Sequence, residues 1–106
     1  MQIRELTLKE LYPIYGLISE LYSELTYNEF EDLIYDMRYM EYKMIGILEK
    51  NELVSYAGVV IQTTFKDKRH LKVFDFFAPK KYDKMMREFL SDYAKTAMCE
   101  KVIYAL

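Results

Sequence analysis

Apolar side chains recur along this chain with two different periods, and each change of period marks a new element. Gln2 to Leu6 reads as a short opening strand, which stops at Thr7. There the box Thr7-Leu8-Lys9-Glu10 begins a helix, because a threonine hydroxyl can accept from the amide three residues on while the glutamate reaches back. Leu8, Leu11, Tyr15, Ile18, Tyr22 and Leu25 then step by three and four, which puts them on one helical stripe. Pro13 and Gly16 lower the local helix propensity, and a kink or loosened turn is expected near Pro13. A second box, Thr26-Tyr27-Asn28-Glu29, precedes Phe30, Leu33, Ile34, Met37 and Met40 at helical spacing. The first helix therefore ends near Leu25 and a second follows at once.

Beyond this point the pattern turns to strands. Lys43 to Glu49 and Leu53 to Thr64 are rich in Val, Ile, Tyr and Thr and flank the polar turn Lys50-Asn51-Glu52, as an antiparallel hairpin requires. Lys66 to Arg69 is a second polar turn, and His70 to Ala78 is a third long strand. Its Phe74, Phe76 and Phe77 are too apolar for a solvated edge, so it is expected to be central. Pro79 closes that strand. From Lys81, Tyr82, Met86, Phe89, Leu90, Tyr93 and Ala97 are spaced for a helix that lasts until Cys99, and Val102 to Leu106 forms a last strand. A strand, a helix and a strand in succession make a right-handed parallel crossover. The order is β-α-α-β-β-β-α-β, of the α/β (α+β) class, with a mainly antiparallel sheet and one parallel pair at its end. No linker or internal repeat interrupts residues 1–106, which form a single domain.

Composition narrows the function classes. With 15 Lys+Arg against 17 Asp+Glu, the net charge of −2 excludes strong electrostatic attraction to nucleic acid or an anionic membrane. No apolar run approaches the roughly 20 residues of a membrane span, and the charged start MQIRELTLKE is unlike a signal peptide. A cytoplasmic protein is expected. One cysteine, Cys99, and one histidine, His70, exclude an internal disulfide and a tetrahedral zinc site, so no metal is expected. The three glycines all lie at or before Gly58, which leaves the second half without a glycine-rich phosphate loop.

Several residues in this order resemble the GNAT superfamily of acetyl-CoA-dependent N-acetyltransferases. The resemblance rests on Ile3-Arg4, the Thr7 to Leu11 helix start, Leu25 to Phe30, and the hairpin from Glu49 through Leu53-Val54 to Ala57-Gly58. Ile61-Gln62-Thr63 and Arg69-His70-Leu71 look like that family's third strand and the start of its fourth. It implies a five-stranded sheet, truncated here after the fifth strand, with a catalytic carboxylate on the fourth. Asp75 occupies that segment and is the candidate general base, acting directly or through water; the alternative is a buried acceptor satisfied by backbone amides. Phe74 replaces the second acid that family members often carry.

The family holds the coenzyme pyrophosphate with a glycine-rich loop at the next helix start, where backbone amides converge on the anion. This chain reads Phe77-Ala78-Pro79-Lys80-Lys81-Tyr82 there, with a β-carbon at every position. Acetyl-CoA binding is therefore expected to be lost or weakened, with the protein acting through protein binding or regulation. The alternative is a minimal active N-acetyltransferase, in which Phe76, Phe77 and Ala78 hold pantetheine through strand backbone and Lys80, Lys81 and Lys84 supply charge to the phosphates. Without an anion, those lysines are an ordinary solvated face. His70 is a base or a structural residue at a turn, and Cys99 reads as an inert core thiol. Val102 to Leu106 would leave an apolar strand edge uncovered, so a homodimer or another protein partner is expected.

Overall fold

Both threonine boxes form the caps their spacing implies. The Thr7 hydroxyl accepts from the Lys9 amide at 3.3 Å and Glu10 accepts from the Thr7 amide at 2.7 Å. Thr26 accepts from the Glu29 amide at 3.2 Å, and Glu29 accepts from the Thr26 amide at 3.0 Å. The computed structural model describes residues 1–106. Strand β1 (Gln2–Glu5) leads through a 3-10 turn (Leu8–Glu10) into α1 (Leu11–Leu21) and α2 (Tyr27–Met37). A second 3-10 turn (Arg38–Met40) precedes β2 (Lys43–Glu49), β3 (Glu52–Thr64), β4 (Lys68–Phe77), α3 (Lys80–Thr96) and β5 (Lys101–Tyr104).

The strands lie side by side in chain order, antiparallel except for the parallel pair β4–β5. The α/β (α+β) class and the expected element order hold, while several boundaries move. The irregularity expected at Pro13 is the 3-10 turn ahead of Leu11, after which Pro13 falls in the first turn of α1, where its missing N–H costs nothing. Helix α1 ends at Leu21 rather than Leu25, because Thr26 must be extended to cap α2. The intervening turn is held by the Leu25 amide on the Tyr22 carbonyl and the Tyr15 hydroxyl on the Leu25 carbonyl. Lys50 and Asn51 both adopt positive φ (53° and 65°), the two-residue turn whose twist matches the hairpin strands. The last strand ends at Tyr104 and pairs only with His70 to Val73 of β4.

The sheet buries both faces. Toward α3 it presents Ile45, Ile47, Ala57, Val59, Leu71 and Val73, packed on Tyr82, Met86, Leu90 and Ala94. Toward α1 and α2 it presents Met44, Tyr56 and Val60, packed with Ile14, Ile18, Phe30 and Ile34. One irregularity sets the site. Gly58 pairs with Asp75 but Val59 pairs with Val73, so Phe74 is an extra residue in β4. A bulge of this kind re-aims the following side chain. Phe74 packs against the α1–α2 face and Phe76 against the α3 face. Asp75, between them, joins Phe74 on the α1–α2 side, where Tyr22 and Tyr42 reach it.

Candidate functional site

A cavity of about 260 Å³ lies between α1, α2 and the sheet. Ile18, Leu33, Ile34 and Met37 line it on the helix side, Tyr42 and Tyr56 on the sheet side, and Asp75 is its only charged residue. Each Asp75 oxygen already accepts one phenol: Tyr22 donates to Oδ1 at 2.5 Å and Tyr42 to Oδ2 at 2.7 Å. The Tyr42 and Tyr56 hydroxyls are themselves 2.8 Å apart, so the chain of hydroxyls runs from the carboxylate into the core. None of the molecule's ion pairs includes Asp75.

Gly58 makes this arrangement possible. A β-carbon there would lie 1.6 Å from the Tyr42 hydroxyl oxygen and 2.2 Å from the ring carbon bearing it. Only the bare backbone of β3 lets Tyr42 lie across it and reach Asp75. The hydrogen bond to Asp75, with burial and that carboxylate's charge adding, pushes the Tyr22 phenol up to about 12. Tyr42 is driven higher still, first by burial and then by Tyr56 and Asp75, and Tyr56 is raised mainly by burial. All three therefore stay protonated donors across the physiological range. A carboxylate oxygen can accept more than one hydrogen bond, so Asp75 keeps capacity to receive a proton or to bind a donor or cation.

The candidate residues do not converge. Asp75 faces the cavity, whereas the ring of Phe76 lies on the opposite face under the Arg87 guanidinium, 4.6 Å away, and edge-on to Tyr104 at 5.7 Å. The Phe77 carbonyl accepts the Ser55 hydroxyl at 2.9 Å. Two residues, Ala78 and Pro79, separate β4 from α3, and Pro79 occupies the N-cap. Lys81 lies 3.7 Å from Glu49 and Lys84 lies 3.8 Å from Glu88, while Lys80 makes no ion pair. The Tyr82 hydroxyl also donates to Glu49, which with Lys81 holds that carboxyl below the usual range. A carboxylate thus sits against the first turn of α3.

His70 is buried at the start of β4 with Nδ1 2.9 Å from the Lys68 carbonyl, a turn-locking position outside the cavity. Cys99 follows α3 and packs against the α3-side core. No three His, Cys, Asp or Glu side chains converge as a metal site would need. Sequence reasoning missed Tyr22 and Tyr42 as partners of Asp75, and Tyr56 as the partner of Tyr42. The available signal was Gly58 inside a strand, which marks a bulge or a close approach.

The five-stranded sheet with its crossover from β4 through α3 to β5 has the fold of the GNAT acetyltransferases. A GNAT family acetyltransferase from Staphylococcus aureus superposes with a TM-score of 0.73 over 99% of this chain and 85% of its own, at 14% identity. An aminoglycoside N-acetyltransferase in complex with CoA gives 0.78 over 99% and 76%, at 10% identity. A transcriptional regulator from Bacillus halodurans gives 0.79 over 99% and 81%, at 12% identity. No protein-family profile matches this sequence, and no curated protein matches it significantly.

Proposed function

We propose that this chain is a GNAT-fold domain in which acetyl-CoA binding is lost or weakened, and that it acts by binding or regulation rather than by acyl transfer. The start of α3 carries this reading. A two-residue connection without glycine leads into it, and Glu49, fastened by Tyr82 and Lys81, sets a negative charge against its first turn. A helix start with proline at its N-cap and no glycine in the connection before it is a poor cradle for a pyrophosphate. The similarity of the fold to a protein described as a transcriptional regulator is compatible with such a role.

Isothermal titration with acetyl-CoA tests the reading: no heat, or a dissociation constant weaker than about 100 μM, is expected. A constant in the low micromolar range or tighter overturns it and assigns the phosphates to Lys80, Lys81 and Lys84. One observation favours a second reading, a minimal N-acetyltransferase with Asp75 as base. The β4–β5 ladder stops at Val73–Tyr104, leaving Phe74 to Phe77 of β4 without a β5 partner beside Asp75. Under that reading Asp75→Asn removes most turnover, since one positioned base contributes about 100- to 10,000-fold. A homodimer formed along the outer strand β5 belongs to the first reading. Light scattering near twice 12.8 kDa supports it, and a monomer at high micromolar concentration overturns it.

A further inference from the structure

The free strand edges of the sheet are not alike. Strand β1 has four residues, and its Arg4 and Glu5 are both in ion pairs. Strand β5 also has four and opens with Lys101, paired to Asp67 at 2.9 Å. Strand β3 has 13, but its pairing with β2 stops at Val59, so Val60 to Thr64 have β4 on one side and no strand on the other. No backbone hydrogen bond outside the helices and ladders ends on those residues. Proteins normally blunt such an edge with charge or proline. From Val59 to Phe65 there is no charged residue, proline or glycine, and all but Gln62 and Phe65 are β-branched. This is the composition that pairs most readily with another strand.

We infer that the outer edge of β3, from Val60 to Thr64, is a strand-addition site for an extended, acidic peptide segment of a partner protein. Its backbone groups that face away from β4 supply the main-chain hydrogen bonds by which an added strand is held. The free stretch is about 17 Å long at the usual rise of a strand, which suits a short segment. The ring of Phe65, exposed over its whole surface at the hairpin tip, offers an apolar cover for one of its side chains. That ring is presented on a braced turn: Lys68 Nζ donates to the Phe65 carbonyl at 2.7 Å, and the Asp67 amide donates to the Thr64 hydroxyl at 3.0 Å. Charge selects the partner. The hairpin from Val59 to Phe74 carries Lys66, Lys68, Arg69 and Lys72 against one acid, Asp67, which Lys101 already takes. Lys66 makes no ion pair within the chain. Glutamates or aspartates at the end of the added strand beside the tip meet this basic field. Pairing here involves neither Asp75 nor the start of α3, so it goes beyond the reading of weakened acetyl-CoA binding.

The test is a titration of the full chain at low salt, followed by backbone amide NMR shifts and by fluorescence anisotropy of labelled peptides. The probes are a peptide of about eight residues that alternates valine and threonine and ends in two glutamates, the same peptide ending in two lysines, and the acidic peptide N-methylated through its centre. The acidic peptide is expected to bind with shifts concentrated at Val60 to Phe65, at least about fivefold more tightly than the lysine peptide. N-methylation is expected to weaken it at least about tenfold, because the central amides no longer donate. Phe65→Ser and Lys66→Glu change exposed side chains and leave the core intact. The first is expected to weaken the acidic peptide about tenfold, and the second to remove the preference for acid over lysine. No binding of the acidic peptide overturns the proposal, as does equal affinity for the N-methylated or the lysine peptide. Shifts confined to β1 or β5 overturn it too, and doubling of mass that Phe65→Ser abolishes assigns the edge to a second copy instead. Tight acetyl-CoA binding in the separate titration would sink the reading of weakened coenzyme binding and leave this inference standing.

Discussion

The two faces of the sheet are built to different standards. On the α3 face one 17-residue helix lies across β2 to β4, and Leu71, Val73, Met86 and Leu90 are wholly excluded from solvent. On the other face two 11-residue helices leave the 260 Å³ cavity, with a carboxylate at its floor and tyrosines around it. Charge divides the same way: α3 carries Lys80, Lys81, Lys84, Arg87 and Lys95, whereas α1 and α2 carry only acids. Domains of this size are only marginally stable. A cavity on one face is tolerable because the opposite face is closely packed. Packing is looser on the face that carries Asp75.

Unequal packing predicts unequal sensitivity. Leu90→Ala on the α3 face should cost about 2–5 kcal/mol in urea unfolding, whereas Leu33→Ala at the cavity rim should stay within about 0.5 kcal/mol. Equal costs would break the comparison. Gly58→Ala should come next, at about 1–3 kcal/mol, because the new methyl displaces the Tyr42 ring from its place over β3. Near-ultraviolet circular dichroism should report the displaced tyrosine.

Tyr42→Phe sharpens the picture at about 1 kcal/mol, since it removes one hydroxyl shared by Tyr56 and Asp75 and leaves the ring in place. An unchanged urea midpoint would show that the buried hydroxyl pair adds nothing to stability. The smallest effect concerns pH. The Tyr22 phenol is raised from about 10 to about 12 in the folded chain. Its hydrogen bond to Asp75 therefore contributes fully below pH 10 and is lost as pH rises through 12. The stability gap between the intact chain and Tyr22→Phe should shrink across that interval, as followed by urea midpoints. A constant gap would remove Tyr22 from the Asp75 network.

Local chemistry made most of the architecture legible. Thr7 with Glu10 and Thr26 with Glu29 announce two helix starts because a cap needs only residues within one turn. Lys43 to Glu49 is bounded as expected, and Pro79 ends β4 and caps α3 because its ring sets its own φ. The site was legible only in part. Asp75 stood out as an acid among phenylalanines, but its partners Tyr22 and Tyr42 lie 53 and 33 residues away in the chain. The lysines grouped with it in the sequence lie at the start of α3, two of them turned to Glu49 and Glu88.

What the sequence determined by itself was the order and class of the elements, which periodicity, caps and turn residues encode over a few positions. What only the tertiary structure decided was the face on which Asp75 emerges. Strict alternation from Leu71 and Val73 would point Asp75 into the α3 core. The extra residue at Phe74 turns it to the other side, where Gly58 leaves room for Tyr42 and the end of α1 brings Tyr22. A bulge is set by the register between two strands and by the bulk of what packs on each face, so no window of neighbouring residues contains it.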